Sequence, residues 1–374
     1  MIVAPDSFKG TLTAQEAAEA MSAGIKDYDP SINTILLPVA DGGEGTMRSL
    51  VSATNGKLVT CIVQDPLGRK IEACYGVLGD KETCVIEIAE ASGLMLLEKN
   101  ERNPLITSTY GTGELIRHAL DSGYRKFIIG LGGSATNDAG TGMLRALGMK
   151  FLDRNGDELR QGGGSLADLA EIDSSQFDQR INESEFLIAS DVQNPLIGPS
   201  GASAVFGPQK GATSEMVQKL DESLTNFANV VKEKTGISLH DETGAGAAGG
   251  VGGALLAFFP SEIKDGIQVV LEAISFHQHL KDADLVITGE GKTDTQTLSG
   301  KAPYGIAKVA KEVEKPVILI SGTVDENSKQ NLRRIFTEIH AIADGTVSIE
   351  QSIKYAAELL RRKTSHVINN YFSR

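Results

Sequence analysis

The sequence predicts an α/β protein in two parts: a Rossmann-like parallel-sheet domain built from both chain ends, and an inserted second α/β domain containing mixed or antiparallel strands. An active-site cleft is expected between them. Three observations carry this reading. Both ends of the chain repeat strand, glycine-rich loop and helix, the pattern of a parallel sheet. The stretch from Leu58 to Glu90 holds β-rich runs with no helical spacers. The 41 glycines of the 374-residue chain gather at strand ends instead of spreading evenly.

The first apolar run, Ile2-Val3-Ala4, opens into Pro5-Asp6-Ser7-Phe8-Lys9-Gly10, and Thr13 with Glu16 supplies a capping box for the helix that follows. A second run, Thr34 to Val39, leads into Asp41-Gly42-Gly43-Glu44-Gly45-Thr46 and another helix. The runs Val59–Val63, Ile71–Val77 and Cys84–Ile88 are separated by turn signals and read as antiparallel hairpins. A helix over 113–122 presents Leu115, Ile116, Ala119 and Leu120 at core spacing. Phe127-Ile128-Ile129 then opens into Gly130-Leu131-Gly132-Gly133-Ser134-Ala135-Thr136-Asn137-Asp138, and Phe186–Ala189 ends in Ser190-Asp191-Val192-Gln193-Asn194-Pro195. The last third returns to the opening pattern, with Leu285–Thr288 running into Gly289-Glu290-Gly291-Lys292-Thr293-Asp294 and two further strands near 317–320 and 339–342. The expected division is 1–60 plus 282–374 for the first domain and 61–281 for the second.

A hydrophobic fraction of 41% and a charged fraction of 23% are those of an ordinary globular protein. The net charge of −13 argues against nucleic acid and anionic membrane surfaces as partners, since both are bound chiefly through Lys and Arg. A small anion then needs a local inversion of the field by lysine, metal or backbone N–H groups. Cys61, Cys74 and Cys84 form neither a C-x-x-C pair nor a disulfide framework, and Met1-Ile2-Val3 runs straight into a strand, so a reduced, cytoplasmic chain without a secretion signal is expected.

Ligands of open parallel sheets bind beyond the carboxyl ends of the strands. Five such ends here combine glycine with charged or hydroxyl residues: Asp6/Ser7/Lys9, Asp41/Glu44, Gly132/Gly133/Ser134/Asn137, Asp191/Asn194 and Glu290/Lys292/Asp294. Bare N–H groups for an anion, carboxylates for a metal or a proton, and lysines for phosphate charge are the parts that phosphoryl transfer requires. One Gly-Gly after a strand is usually only a turn, and one Asp there only a cap; their coincidence at five ends favours function. Other signals fail. Gly291-Lys292-Thr293 imitates a Walker A ending, but Val286 stands where its first glycine belongs. No G-x-G-x-x-G opens the first helix, and His277 and His279 lie on different helix faces with nothing to complete a zinc site. The Gly244–Phe259 stretch reads equally as a buried helix or as bare backbone against a ligand.

Taken in order, Ala4-Pro5-Asp6-Ser7-Phe8-Lys9-Gly10, Asp41-Gly42-Gly43-Glu44-Gly45-Thr46, Gly132–Asp138, Ser190-Asp191-Val192 with Asn194-Pro195-Leu196, and Gly289-Glu290-Gly291 through Asp294, Gln296-Thr297 and Gly300-Lys301 resemble the bacterial two-domain glycerate kinases over nearly the whole chain. The resemblance implies ATP-dependent phosphorylation of D-glycerate, giving 2-phosphoglycerate, with Mg²⁺. Kinases of another short hydroxy acid or sugar acid, and a non-catalytic sugar-acid binder, are the alternatives. Under this reading Asp191 and Lys9 are the catalytic candidates. Ser7, Lys301 and Asn194 are expected to meet the substrate. Gly132, Gly133, Ser134, Thr136, Asn137 and Lys292 are expected to meet the nucleotide, and Asp294, Asp41 and Glu290 the metal. The chain is expected to be a monomer or homodimer. Two departures from the family pattern are Ala139-Gly140-Thr141 in place of further glycine, and Lys292 where Arg is expected, which keeps charge but loses the bidentate fork.

Overall fold

The computed structural model describes residues 1–43 and 45–373, so Glu44 of the second motif lies outside the described residues. It divides into two compact units, residues 1–41, 48–55 and 265–374 in one, and 42–47 with 56–264 in the other.

The first unit is built on a five-stranded sheet in the spatial order Glu338–Ala341, Val317–Ser321, Val286–Thr288, Ile2–Val3, Ile35–Leu36, parallel throughout. Numbered along the chain within this unit, the order is 2-1-3-4-5, a doubly wound sheet whose direction of winding reverses between Ile2–Val3 and Val286–Thr288. The strands are short because apolar β-branched runs here span only a few residues before glycine or polar loops break them. The helix Ala14–Tyr28 starts at the capping box read from the sequence: Thr13 accepts from the Glu16 amide at 3.2 Å, and Glu16 accepts from the Thr13 amide at 2.8 Å. It packs on the C-terminal helix Ala356–Phe372, and Gly24 permits that approach, since a Cβ there would run into the carbonyl of Arg361. Gly24→Ala should therefore lower the stability of this unit by about 1–3 kcal/mol through overpacking, measured by denaturant unfolding; an unchanged midpoint would show that the helix pair slides apart at no cost.

The second unit carries a six-stranded mixed sheet in the order Ser261–Lys264, Glu185–Ala189, Lys126–Gly130, Thr83–Glu87, Lys70–Val77, Lys57–Gln64. The first four strands are parallel, and the last two join antiparallel as the expected hairpin. The Cys84–Ile88 run is not a third hairpin member alone: Thr83–Glu87 pairs antiparallel with Lys70–Val77 on one side and parallel with Lys126–Gly130 on the other, which turns the hairpin into the edge of a parallel sheet. Phe127, Phe186 and Phe259 pack in its core, the first two stacked at 4.7 Å and the last two edge-on at 4.8 Å. The Gly244–Phe259 stretch is a buried turn followed by the helix Val251–Phe258. Its bare backbone at Gly249 lies against the protein's own carbonyl of Thr136, so that glycine serves packing. Among the described residues, no helix is long and apolar enough to cross a membrane.

Candidate active site

At the carboxyl edge of the five-stranded sheet, the ends of all five strands converge on a cavity of about 280 Å³, Ile342 reaching it from beyond Glu338–Ala341. Asp6, Ser7 and Lys9 reach it from the loop after Ile2–Val3, and Asp41 from the loop after Ile35–Leu36. Glu290, Gly291, Lys292 and Lys301 come from the loops after Val286–Thr288, and Gly322 and Thr323 from beyond Val317–Ser321. Its centre is the reversal of winding, where the first turns of the flanking loops lead to opposite faces of the sheet and leave a gap.

The carboxylates are held in place from below. Glu290 is 4% exposed; its Oε1 accepts from the hydroxyls of Thr293 at 2.9 Å and Thr297 at 2.7 Å, and Thr293 shares a hydroxyl contact with Ser321 at 2.7 Å. The other oxygen, Oε2, faces Lys301 Nζ at 3.7 Å. Burial raises the Glu290 carboxyl, while the two threonine hydroxyls and Lys301 pull it back. Asp6 is pushed up to about 7, first by burial and then by the charge of Asp41, with Glu290 adding to the rise. The Ser7 amide, donating to Asp6 Oδ1 at 2.6 Å, and Lys9 oppose that rise. A group poised near neutrality inside a charged cavity is the usual mark of a working acid or base.

Of the residues expected to act, Ser7, Lys9, Asp41, Glu290, Lys292 and Lys301 are brought together in this one cavity. Asp294 does not line it. Its carboxylate caps the turn Thr295–Ser299 by accepting from the Gln296 amide at 2.9 Å, and pairs with Lys292 at 3.3 Å. The remaining candidates belong to the second unit. Gly132 and Gly133 follow the strand Lys126–Gly130 and lie at least partly exposed, Gly133 with φ +73°, a conformation glycine adopts freely. Ser134 is largely buried, and Thr136 and Asn137 are fully buried. Asp191 is exposed beyond the strand Glu185–Ala189, which pairs directly with Lys126–Gly130, so Asp191 and the Gly132–Gly133 turn leave neighbouring strand ends of one sheet. Asn194 donates through Nδ2 to the carbonyl of Ser200 at 2.8 Å, a loop closure.

Three groups escaped the reading of the sequence. Asp6 stood in a noted motif without a role; its raised proton affinity comes first from burial and then from the long-range approach of Asp41 and Glu290. Glu87 is buried and receives the Met47 amide at 2.6 Å and the Gly45 amide at 3.3 Å, tying the 42–47 loop to the second unit. Lys210 is buried with its ammonium on Ser134 and Thr136. The one local signal for it was a lysine closely bracketed by glycine in Gly207-Pro208-Gln209-Lys210-Gly211.

Parallel α/β sheets that gather carboxylates, ammonium groups and glycine turns at their carboxyl ends define the class: an α/β protein equipped to handle small anionic ligands. The chain belongs to the glycerate kinase family, whose model matches residues 1–371. It is 50% identical over 362 residues to the glycerate kinase of Bacillus subtilis, covering 97% of this chain and 95% of that one. It is 48% identical over 327 residues to the glycerate 2-kinase of Escherichia coli, covering 87% and 86%. A crystal structure assigned to glycerate kinase 2 of Salmonella typhimurium LT2 superposes with a TM-score of 0.90 at 43% identity, over 100% of this chain and 98% of that one.

Proposed function

We propose that this protein is an ATP-dependent glycerate kinase that transfers the γ-phosphoryl group to a hydroxyl of D-glycerate, giving 2-phosphoglycerate and ADP, in the cytoplasm. The observation that carries it is the cavity at the reversal of the parallel sheet, in a chain that matches the family from end to end. Its volume suits a small polyol acid better than a drug-sized ligand. Lys9 and Lys301 with the Ser7 hydroxyl offer the substrate carboxylate two cations and a donor, and Glu290 keeps Lys301 aimed into the cavity. The nucleotide phosphates are assigned to the exposed Gly132–Gly133 turn.

The donor set fits Mg²⁺. Among the described residues no three His, Cys, Asp or Glu side chains converge as a closed metal site. Mg²⁺ needs none, because it is ordinarily held by one or two carboxylates together with waters and substrate phosphates. Asp41 and Glu290, which both line the cavity, are proposed to hold it, and Asp294 caps its own turn instead. When bound, the ion neutralises charge on the phosphoryl group being transferred.

For the proton of the attacking hydroxyl, Asp6 is favoured by its raised affinity inside the cavity. Asp191 is the second candidate, favoured by its position at the strand end beside the glycine turn.

The test is ADP release from ATP with D-glycerate, with and without Mg²⁺, followed by phosphorus NMR of the product. Turnover that needs both glycerate and Mg²⁺, with phosphate on C2, is expected. Phosphate on C3 would correct the product, and turnover only with another hydroxy acid would correct the substrate. Lys301→Met should raise KM for glycerate by roughly 10- to 100-fold, the worth of a charge-assisted hydrogen bond, with KM for ATP little changed. A change confined to the nucleotide would move Lys301 out of the substrate site.

A further inference from the structure

The ammonium of Lys210 is a charged group inside the second unit that the reaction as described does not use. Lys210 is 2% exposed and ends the turn Pro208–Lys210, closed by Gly211 at φ +94°. Its Nζ donates to Ser134 Oγ at 2.8 Å and to the Thr136 carbonyl at 2.7 Å. Seven residues upstream, in the helix Ala202–Phe206, Ser203 Oγ receives Asn137 Nδ2 at 3.0 Å. From the other side, the Gly133 carbonyl accepts the Leu94 amide at 2.8 Å, and the Ala135 amide donates to the Ser92 carbonyl at 2.8 Å. Residues 133 to 137 are thus pinned one after another, and the surface that remains is the pair Gly132–Gly133.

An ammonium buried to this depth is costly to keep charged. Burial lowers its proton affinity to about 7, with the buried carboxylate of Asp138 opposing the fall. Filling space alone would call for methionine or leucine, which carry no such cost. Nor is the turn built for polar satisfaction: Thr136 Oγ1 and Asn137 Oδ1 are buried with no hydrogen-bond partner among the described residues.

We propose that Lys210 is a positioning residue for nucleotide binding, its ammonium fixing the Ser134–Asn137 backbone so that Gly132 and Gly133 present their N–H groups to the phosphates. This rests on the reading of that turn as the nucleotide site. Lys210 itself touches neither substrate; it acts through Ser134 and Thr136.

The test is steady-state kinetics with ATP and glycerate varied separately, for the wild type, Lys210→Met and Ser134→Ala. Lys210→Met should raise KM for ATP at least about tenfold and leave KM for glycerate within about twofold. Ser134→Ala, which removes one of the two ammonium contacts, should shift KM for ATP in the same direction by about threefold. A charge-specific readout completes the set: propylammonium, but not propanol, should recover part of the ATP affinity of Lys210→Ala. An unchanged KM for ATP in Lys210→Met, or an equal shift for both substrates, overturns the proposal, as does equal recovery by propanol. Should Lys210→Met fail to fold, Ser134→Ala decides by the same split. Absence of any turnover in the wild type would instead remove the functional reading. ATP titrated calorimetrically into the wild type and Lys210→Met would then decide on its own, equal affinities or no binding counting against Lys210.

Discussion

Asp6→Asn is expected to lower kcat by roughly 10²- to 10⁴-fold, the range for loss of a positioned general base, while Asp191→Asn should lower it less than about tenfold. Asparagine keeps the shape of Asp6 and its acceptor for the Ser7 amide, so the change removes proton affinity and charge but little packing. The sign of the pH dependence follows from the raised value. A base must be ionised, so wild-type kcat/KM should rise with pH and then level off. Mg²⁺ at Asp41 and Glu290, by offsetting the carboxylates that hold the proton on, should place that rise below the metal-free value of about 7. The groups facing Asp6 are Asp41, Glu290 and Lys9; the two carboxylates hold its proton on and the lysine helps release it. Stability moves the other way. Because the folded chain holds the Asp6 proton more tightly than the unfolded chain does, ionising Asp6 costs stability as pH rises from the ordinary carboxylate range through about 7. Asp6→Asn removes that cost, so its Tm relative to wild type should improve between pH 5 and pH 8. A variant with near-native turnover, or the reverse pattern with Asp191→Asn as the dead one, would return the proton to Asp191.

The alternation of strand, loop and helix was legible because it is local: an apolar β-branched run, a glycine, a capping box at Thr13 and Glu16, and a helical repeat all lie within twenty residues of one another. The α/β class and the family followed from such segments. The strand order did not, because nothing near Ile2–Val3 says that Val286–Thr288 will lie beside it, and that pairing alone creates the gap in which the cavity forms. The same division runs through the site. Ser7, Lys9, Asp41, Glu290, Lys292 and Lys301 were visible as glycine-flanked polar residues after strands, and the fold gathers them. Asp294 carries the same local signature, yet its carboxylate is turned back onto its own chain as a cap, a choice set by the backbone of 294–297. Glu87 and Lys210 are polar residues that become buried only through contacts 40 and 76 positions away, so no window of sequence displays them.

Asp138→Ala is expected to be the most damaging single change to the second unit. Its carboxylate is fully buried and accepts from four donors: the Thr109 amide at 2.8 Å, the Thr109 hydroxyl at 2.9 Å, the Gly140 amide at 3.1 Å and the Gly142 amide at 3.2 Å. Two oxygens offer about four acceptor positions, so the group is saturated. It joins the turn after Lys126–Gly130 to the start of the helix Tyr110–Asp121 and to the helix Thr141–Ala146. Alanine strands those donors in an apolar interior and leaves the Lys210 ammonium without the charge that opposes its desolvation. Removing one partner of a buried, hydrogen-bonded charge costs roughly 3–5 kcal/mol, which corresponds to a fall in Tm of about 10 °C for a unit of this size, read by calorimetry. Asp138→Asn separates charge from geometry. It keeps one acceptor oxygen but points an amide at backbone N–H donors, so its loss should approach that of alanine, whereas a purely steric role would leave asparagine close to wild type. A loss below about 1 kcal/mol for alanine would mean that water enters and satisfies the stranded donors, and that the turn beneath Gly132–Gly133 is held from Lys210 and Ser203 alone.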